Sequence, residues 1–191
     1  MNRPQFNAKK AIEVATYFLS KSPKQSEYHL LIIKLMYLAE RKAFQKWGRL
    51  ITWDRFVSMD HGPVPSQTFN RINGSVRDDE WENYISDIQD HRVKLRKQPD
   101  VSELSEAEME LLDEIFHTFS EDYRAKYGDD FRWKVVDYTH TLPEWRDPHG
   151  STFPIELEDI LKADKKSKEE IQQISEELEA VAAIDNLLAS V

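Results

Sequence analysis

The chain contains no cysteine, which excludes disulfides, thiolate zinc sites and cysteine nucleophiles together and suits a reducing compartment. Glycine (5) and proline (8) are scarce, so neither a collagen-like repeat nor a low-complexity polymer is expected. No internal repeat competes with one folded core. Long hydrophobic runs are missing too. The longest, Leu30 to Ala39, is interrupted by Lys34 and reaches about half the length of a membrane span. The N-terminus lacks the charged-then-apolar pattern of a signal peptide. Neither export nor membrane insertion is expected, and the cytoplasm is the expected location.

Signatures of catalysis are equally sparse. The six histidines, at 29, 61, 91, 117, 140 and 149, include no pair at i and i+4 and no His-Glu-x-x-His run. There is no Gly-x-Ser-x-Gly elbow and no glycine-rich phosphate loop. Asp78-Asp79-Glu80, Glu121-Asp122 and Asp129-Asp130 bring carboxylates together, but consecutive side chains point apart and stay solvated more often than they hold Mg²⁺. No catalytic residue, metal ligand or cofactor is expected, and the chain does not read as an enzyme.

What is present is an uneven charge. The net charge of −9 divides into 12 Lys/Arg against 5 Asp/Glu over residues 1–71, and 14 against 30 over residues 72–191. An acidic protein is repelled by phosphate backbones at long range, so nucleic acid is not the expected partner. A basic protein surface suits the acidic part better.

The 191 residues are enough for one well-cored domain with an added terminal element. Ala11, Ile12, Ala15, Phe18 and Leu19 recur at one-turn spacing over Ala8–Ser20 and predict an amphipathic helix. Ser26 can cap a second helix, apolar nearly all round from Leu30 to Leu38 and ending at Trp47-Gly48, which belongs at the centre of the fold. Trp53–Asp60 predicts a short strand running into a rigid turn at His61-Gly62-Pro63-Val64-Pro65.

A short helix over Pro65–Ile72 and helical spacing at Trp81, Tyr84, Ile85 and Ile88 follow, and Val93 and Leu95 suggest a strand pairing with the first. Ser105 and Glu108 form a capping box for a helix over Leu104–Phe119. Another helix is expected over Asp129–Tyr138, then an irregular loop, then helices over Pro154–Ala163 and Lys168–Ser190. In the last, Ile171, Ile174, Leu178, Val181 and Leu188 alternate three- and four-residue steps, a coiled-coil-like seam that its own domain or a second chain must cover.

Leu31-Ile32-Ile33-Lys34-Leu35-Met36-Tyr37-Leu38-Ala39, then Gly48-Arg49-Leu50-Ile51, Phe56 and Asp60-His61-Gly62-Pro63-Val64 resemble the Panacea domain, also called the SocA-like antitoxin domain. Leu104-Ser105 with Glu108, and Tyr138-Thr139-His140 followed by Pro143 and Trp145, agree with it. The resemblance spans residues 8–150 and leaves 151–191 as a helical extension packing on the domain or on a partner. It implies a mainly α fold with a small β-sheet (α+β), two- or three-stranded and antiparallel.

In function it implies the antitoxin of a type II toxin–antitoxin system, bacterial or phage, that binds a cognate protein toxin. An alternative within the family is a proteolytic adaptor that delivers the toxin to a AAA+ protease. The motif residues are Lys34, Leu35, Tyr37, Phe56, His61, Gly62, Pro63, Val64, His140 and Trp145.

Each has a structural expectation as well. His61 is expected to hydrogen-bond backbone and lock its turn, and His140 to sit at a helix end favoured by the dipole. Lys34, inside an apolar helix, must snorkel to water or pair with a carboxylate, and a satisfied ion pair is expected. Most of Trp47, Trp53, Phe56, Phe69 and Trp81 read as core. Trp53 and Phe69 stand as candidate partner anchors, with Leu178 and Val181 as candidates on the last helix for a partner or for homo-oligomerisation.

Overall fold

The computed structural model describes residues 3–188. The Asn7 side chain accepts the Lys10 N–H at 2.9 Å and starts α1 (Ala8–Lys21), whose Ala11, Ile12, Ala15, Phe18 and Leu19 are all buried as their spacing requires. Ser26 does not cap the next helix. It opens β1 (Ser26–Tyr28), and α2 (His29–Trp47) begins only after it.

Helix α2 is the axis of the molecule. Every residue from Leu31 to Glu40 is buried, and the helix stops at Gly48, whose φ of 66° suits glycine. The buried Glu40 carboxylate then fixes the returning chain. It accepts the N–H groups of Ile51 (2.7 Å) and Thr52 (2.8 Å) and the Thr52 hydroxyl.

The expected strand is shorter than its sequence signal: β2 covers Phe56–Met59, and it pairs with β3 (Gly62–Pro65), so that the expected strand and turn together form a hairpin. Trp53 and Asp54 lie before it, and Asp54 has a separate task. Its carboxylate accepts the N–H groups of Gln67 (2.9 Å) and Thr68 (2.8 Å) at the start of α3 (Ser66–Ile72). Pro65, at the N-cap position of α3, makes no side-chain cap; a carboxylate more than ten residues back does so instead.

A second sheet was not expected. Helix α4 (Asp79–Tyr84) ends before Ile85, which bridges to Leu95, and β4 (Arg92–Lys94) pairs with β1, not with the first hairpin strand. The two sheets are ordered β1-β4 and β3-β2-β5. The third strand of the larger one, β5 (Phe153–Ile155), occupies the front of the segment expected to be helical. Pro63, Pro65 and Pro154 all sit on its two outer strands, where a missing N–H is tolerated.

Helix α5 (Glu106–Phe116) carries the expected capping box and buries Leu112, Ile115 and Phe116 against the core. A π-turn over His117–Asp122 joins it to α6 (Tyr123–Tyr127), and α7 (Phe131–His140) follows. Helix α8 (Leu157–Ala163) buries Leu157, Ile160 and Leu161. Helix α9 (Lys168–Leu188) lies against the end of α2, with Ile174 3.7 Å from the Cβ position of Gly48. Leu178 and Ala182 are buried, while Val181 turns outward and is 44% exposed. The seam facing the domain is therefore Ile171-Ile174-Leu178-Ala182. The Leu188 side chain and positions 189–190 of the expected helix lie outside the described residues.

Candidate functional site

Lys34, Tyr37 and Arg41 stand on one face of α2, spaced so that all three reach the hairpin and the loop after α7. Tyr37 Oη donates to Glu144 Oε1 at 2.9 Å, and Arg41 grips the same carboxylate through Nε (2.6 Å) and Nη2 (3.3 Å). The Tyr37 ring meets Phe56 edge to face at 5.2 Å. Trp145 Nε1 donates to the Met59 carbonyl at 3.1 Å, and its ring lies 4.3 Å from His140. Seven of the expected motif positions, Lys34, Tyr37, Phe56, Gly62, Pro63, His140 and Trp145, thus gather where α2, the hairpin and α7 meet. Leu35 and Val64 fill the adjoining core.

The expected ion pair at Lys34 is absent among the described residues. The ammonium is completely buried and donates to the Pro63 carbonyl at 2.8 Å. Burial without a carboxylate disfavours the charged form, and its pKa falls to about 7. Gly62 is forced by this packing. It has φ 91°, and a Cβ there would sit 2.6 Å from Thr139 Oγ1 and 2.9 Å from Lys34 Nζ.

His140 ends α7, but the helix dipole does not dominate it. Burial, then the neighbouring Lys34, lower its pKa, against the pull of the Asp60 backbone and Asp137. Its Nε2 is buried without a hydrogen-bond partner. His61 departs from its expectation as well: it is exposed, and its ring stands edge-on to Trp133 at 5.9 Å.

That contact leads to an open cleft of about 520 Å³ between the start of α2, the hairpin turn, α7 and the 150–152 segment. Leu30, Met59, Val64 and Phe69 supply its apolar wall. His29, His61, His91, Arg132 and Trp133 are among the residues that line the rest. His91 has φ 62°, in the turn that ends in β4, and its carbonyl accepts both the backbone N–H (3.0 Å) and Nδ1–H (2.8 Å) of His29. Tyr28 lies between two guanidinium groups, Arg92 at 3.9 Å and Arg132 at 4.0 Å. Asp60 Oδ1 accepts the Gly150 N–H at 2.9 Å and ties the hairpin turn to the far wall.

Of the four candidate anchors, Phe69 lines this cleft, Trp53 packs against the core, Leu178 is buried under α9, and Val181 is exposed away from it. Trp133, 41% exposed, was missed. Its signal was available: α7 buries Phe131, Val135, Val136 and Thr139, and position 133 falls off that face. Arg41 and Glu144 were missed as a pair because 103 residues separate them. No group of three or more His, Cys, Asp or Glu side chains that would hold a metal occurs among the described residues, and no helix among them is long and apolar enough to cross a membrane.

The family model described as antitoxin SocA-like, Panacea domain, matches residues 32–146. The chain belongs to this family. No curated protein matches it, and no solved structure does. The Panacea span opens inside α2 and closes just after Trp145, so it contains the whole Lys34–Glu144 cluster. The cleft is built partly from beyond it, because Tyr28, His29 and the 150–152 wall lie outside.

Proposed function

We propose that this Panacea-domain protein is the antitoxin of a type II toxin–antitoxin system, bacterial or phage, and neutralises a cognate protein toxin in the cytoplasm by direct contact. The folded domain covers a functional surface of the toxin and performs no chemistry on it. The observation that carries this reading beyond family membership is the half-open cleft with Trp133 exposed on its rim. A rigid aromatic beside an apolar recess is the arrangement that concentrates interface energy. The buried Lys34–Pro63 contact holds the hairpin strand that carries Gly62 and Val64 of the cleft wall.

Co-expression with the product of the adjacent reading frame tests the proposal. Growth restored with the toxin still abundant, in a complex that survives gel filtration, is the expected result. Growth arrest unrelieved by the chain overturns it.

A second reading, delivery of the toxin to a AAA+ protease, rests on a second surface. Val181, Ile184 and Leu187 project from α9 at three-residue steps and are 44%, 57% and 68% exposed. An adaptor needs one surface for cargo and another for the protease. Under this reading the toxin disappears in cells that contain the protease and persists in cells that lack it. A second copy of the chain on α9 would instead double the mass in solution.

A further inference from the structure

The cleft has a chemical preference that the whole chain does not share. With a net charge of −9, the protein invites a basic partner, yet Arg132 stands at the cleft with its fork of donors unspent. Among the described residues it makes no ion pair and no hydrogen bond. Its guanidinium is held by stacking, 4.0 Å from the Tyr28 ring and 5.4 Å from that of Trp133. Neighbouring arginines are differently placed: Arg92 and Arg124 both reach Glu27. A guanidinium fixed by two rings and left without an acceptor is prepared for a planar, two-oxygen anion. The carboxylate in the lining, Asp60, accepts the Gly150 N–H, and three imidazoles share the cleft with Arg132.

The same cleft that holds this fork has an apolar wall of Leu30, Met59 and Phe69. The volume of about 520 Å³ admits one large side chain with its flanking backbone. We infer that the cleft takes a short segment of the partner protein in which a large apolar or aromatic residue stands next to an Asp or Glu, the apolar group entering the recess and the carboxylate meeting Arg132. This rests on the contact reading above and specifies its chemistry. The long-range repulsion of an acidic partner by an acidic chain makes the carboxylate a point of specificity and not a general attraction.

A library of random displayed peptides, selected on the purified full chain, tests the inference without knowing the toxin. The expected winners pair an aromatic or long aliphatic residue with an adjacent acid. Arg132→Glu is expected to weaken them at least tenfold and to select Lys or Arg in place of the acid, while Arg132→Lys, which keeps charge but loses the fork, falls between. Trp133→Ala, at an exposed position, is expected to weaken the same peptides with an unchanged melting curve.

Winners without an acid, binding indifferent to both substitutions, or no winners at all would overturn the inference. The cognate toxin separates this from the parent proposal. Wild-type chain that fails to neutralise sinks neutralisation by contact, whereas wild-type, Arg132→Glu and Trp133→Ala chains that neutralise equally sink only the role of the cleft.

Discussion

Lys34 puts a titratable ammonium where an apolar residue would pack, with a single carbonyl to receive its protons. Its pKa falls from 10.5 to about 7 in the fold, so between these values the unfolded chain binds more protons than the native one. The penalty is complete below pH 7 and is relieved as pH rises toward 10.5. Lys34→Met is therefore expected to be more stable than wild type near pH 7, and the difference should shrink at up to about 1.4 kcal/mol per pH unit above it. Urea unfolding of both chains between pH 7 and 10 checks this; a constant difference refutes it.

Gly62→Ala is expected to be strongly destabilising, on the order of 2–4 kcal/mol, because a methyl group would press on Thr139 and Lys34 at positive φ. Gly74→Ala is the comparison, since it shares positive φ (76°) but meets nothing within 4 Å, and it should cost about 1 kcal/mol. Thermal melting of the pair separates backbone strain from collision. Glu144→Gln tests the Arg41 grip. Removing the charge of the buried Glu144 weakens its bidentate hold on the partly buried Arg41, and a loss of about 2 kcal/mol is expected in the same measurement.

At the scale of elements, α9 divides into an inner and an outer stripe. Leu178→Lys puts a charge into a buried contact and is expected to free α9 from the domain, seen as faster amide exchange confined to that helix. Val181→Lys changes an exposed position and should leave exchange unchanged, so any effect it has on binding or association belongs to a partner. Equal exchange in the two variants would contradict this division.

The elements that were legible in the sequence are those whose burial imposes a period. The α1 face, the all-apolar α2 and the capped α5 each repeat a pattern over several turns. The three-residue strands β1, β4 and β5 are too short to show alternation, and Phe153-Pro154-Ile155 imitates the start of a helix because proline suits both places. For the site, the His61-Gly62-Pro63 turn and its α2 neighbours were readable as a set through the family pattern. The cleft was not, since it joins residues near 29, 60, 91, 132 and 151 that only the finished fold brings together.

For the whole molecule, the boundary of family similarity is not the boundary of the packed body. The matched span ends at residue 146, but β5 lines the free edge of β2 and α8 contributes Leu157, Ile160 and Leu161 to the core. A fragment cut after residue 150 would leave a bare strand edge next to an uncapped oily hollow, which is the recipe for self-adhesion. Light scattering of such a fragment is expected to show large particles where the intact chain gives a single species. Grafting this Panacea module onto another protein is accordingly expected to mean carrying its tail along, because the tail covers the surface that would otherwise stick to its own kind.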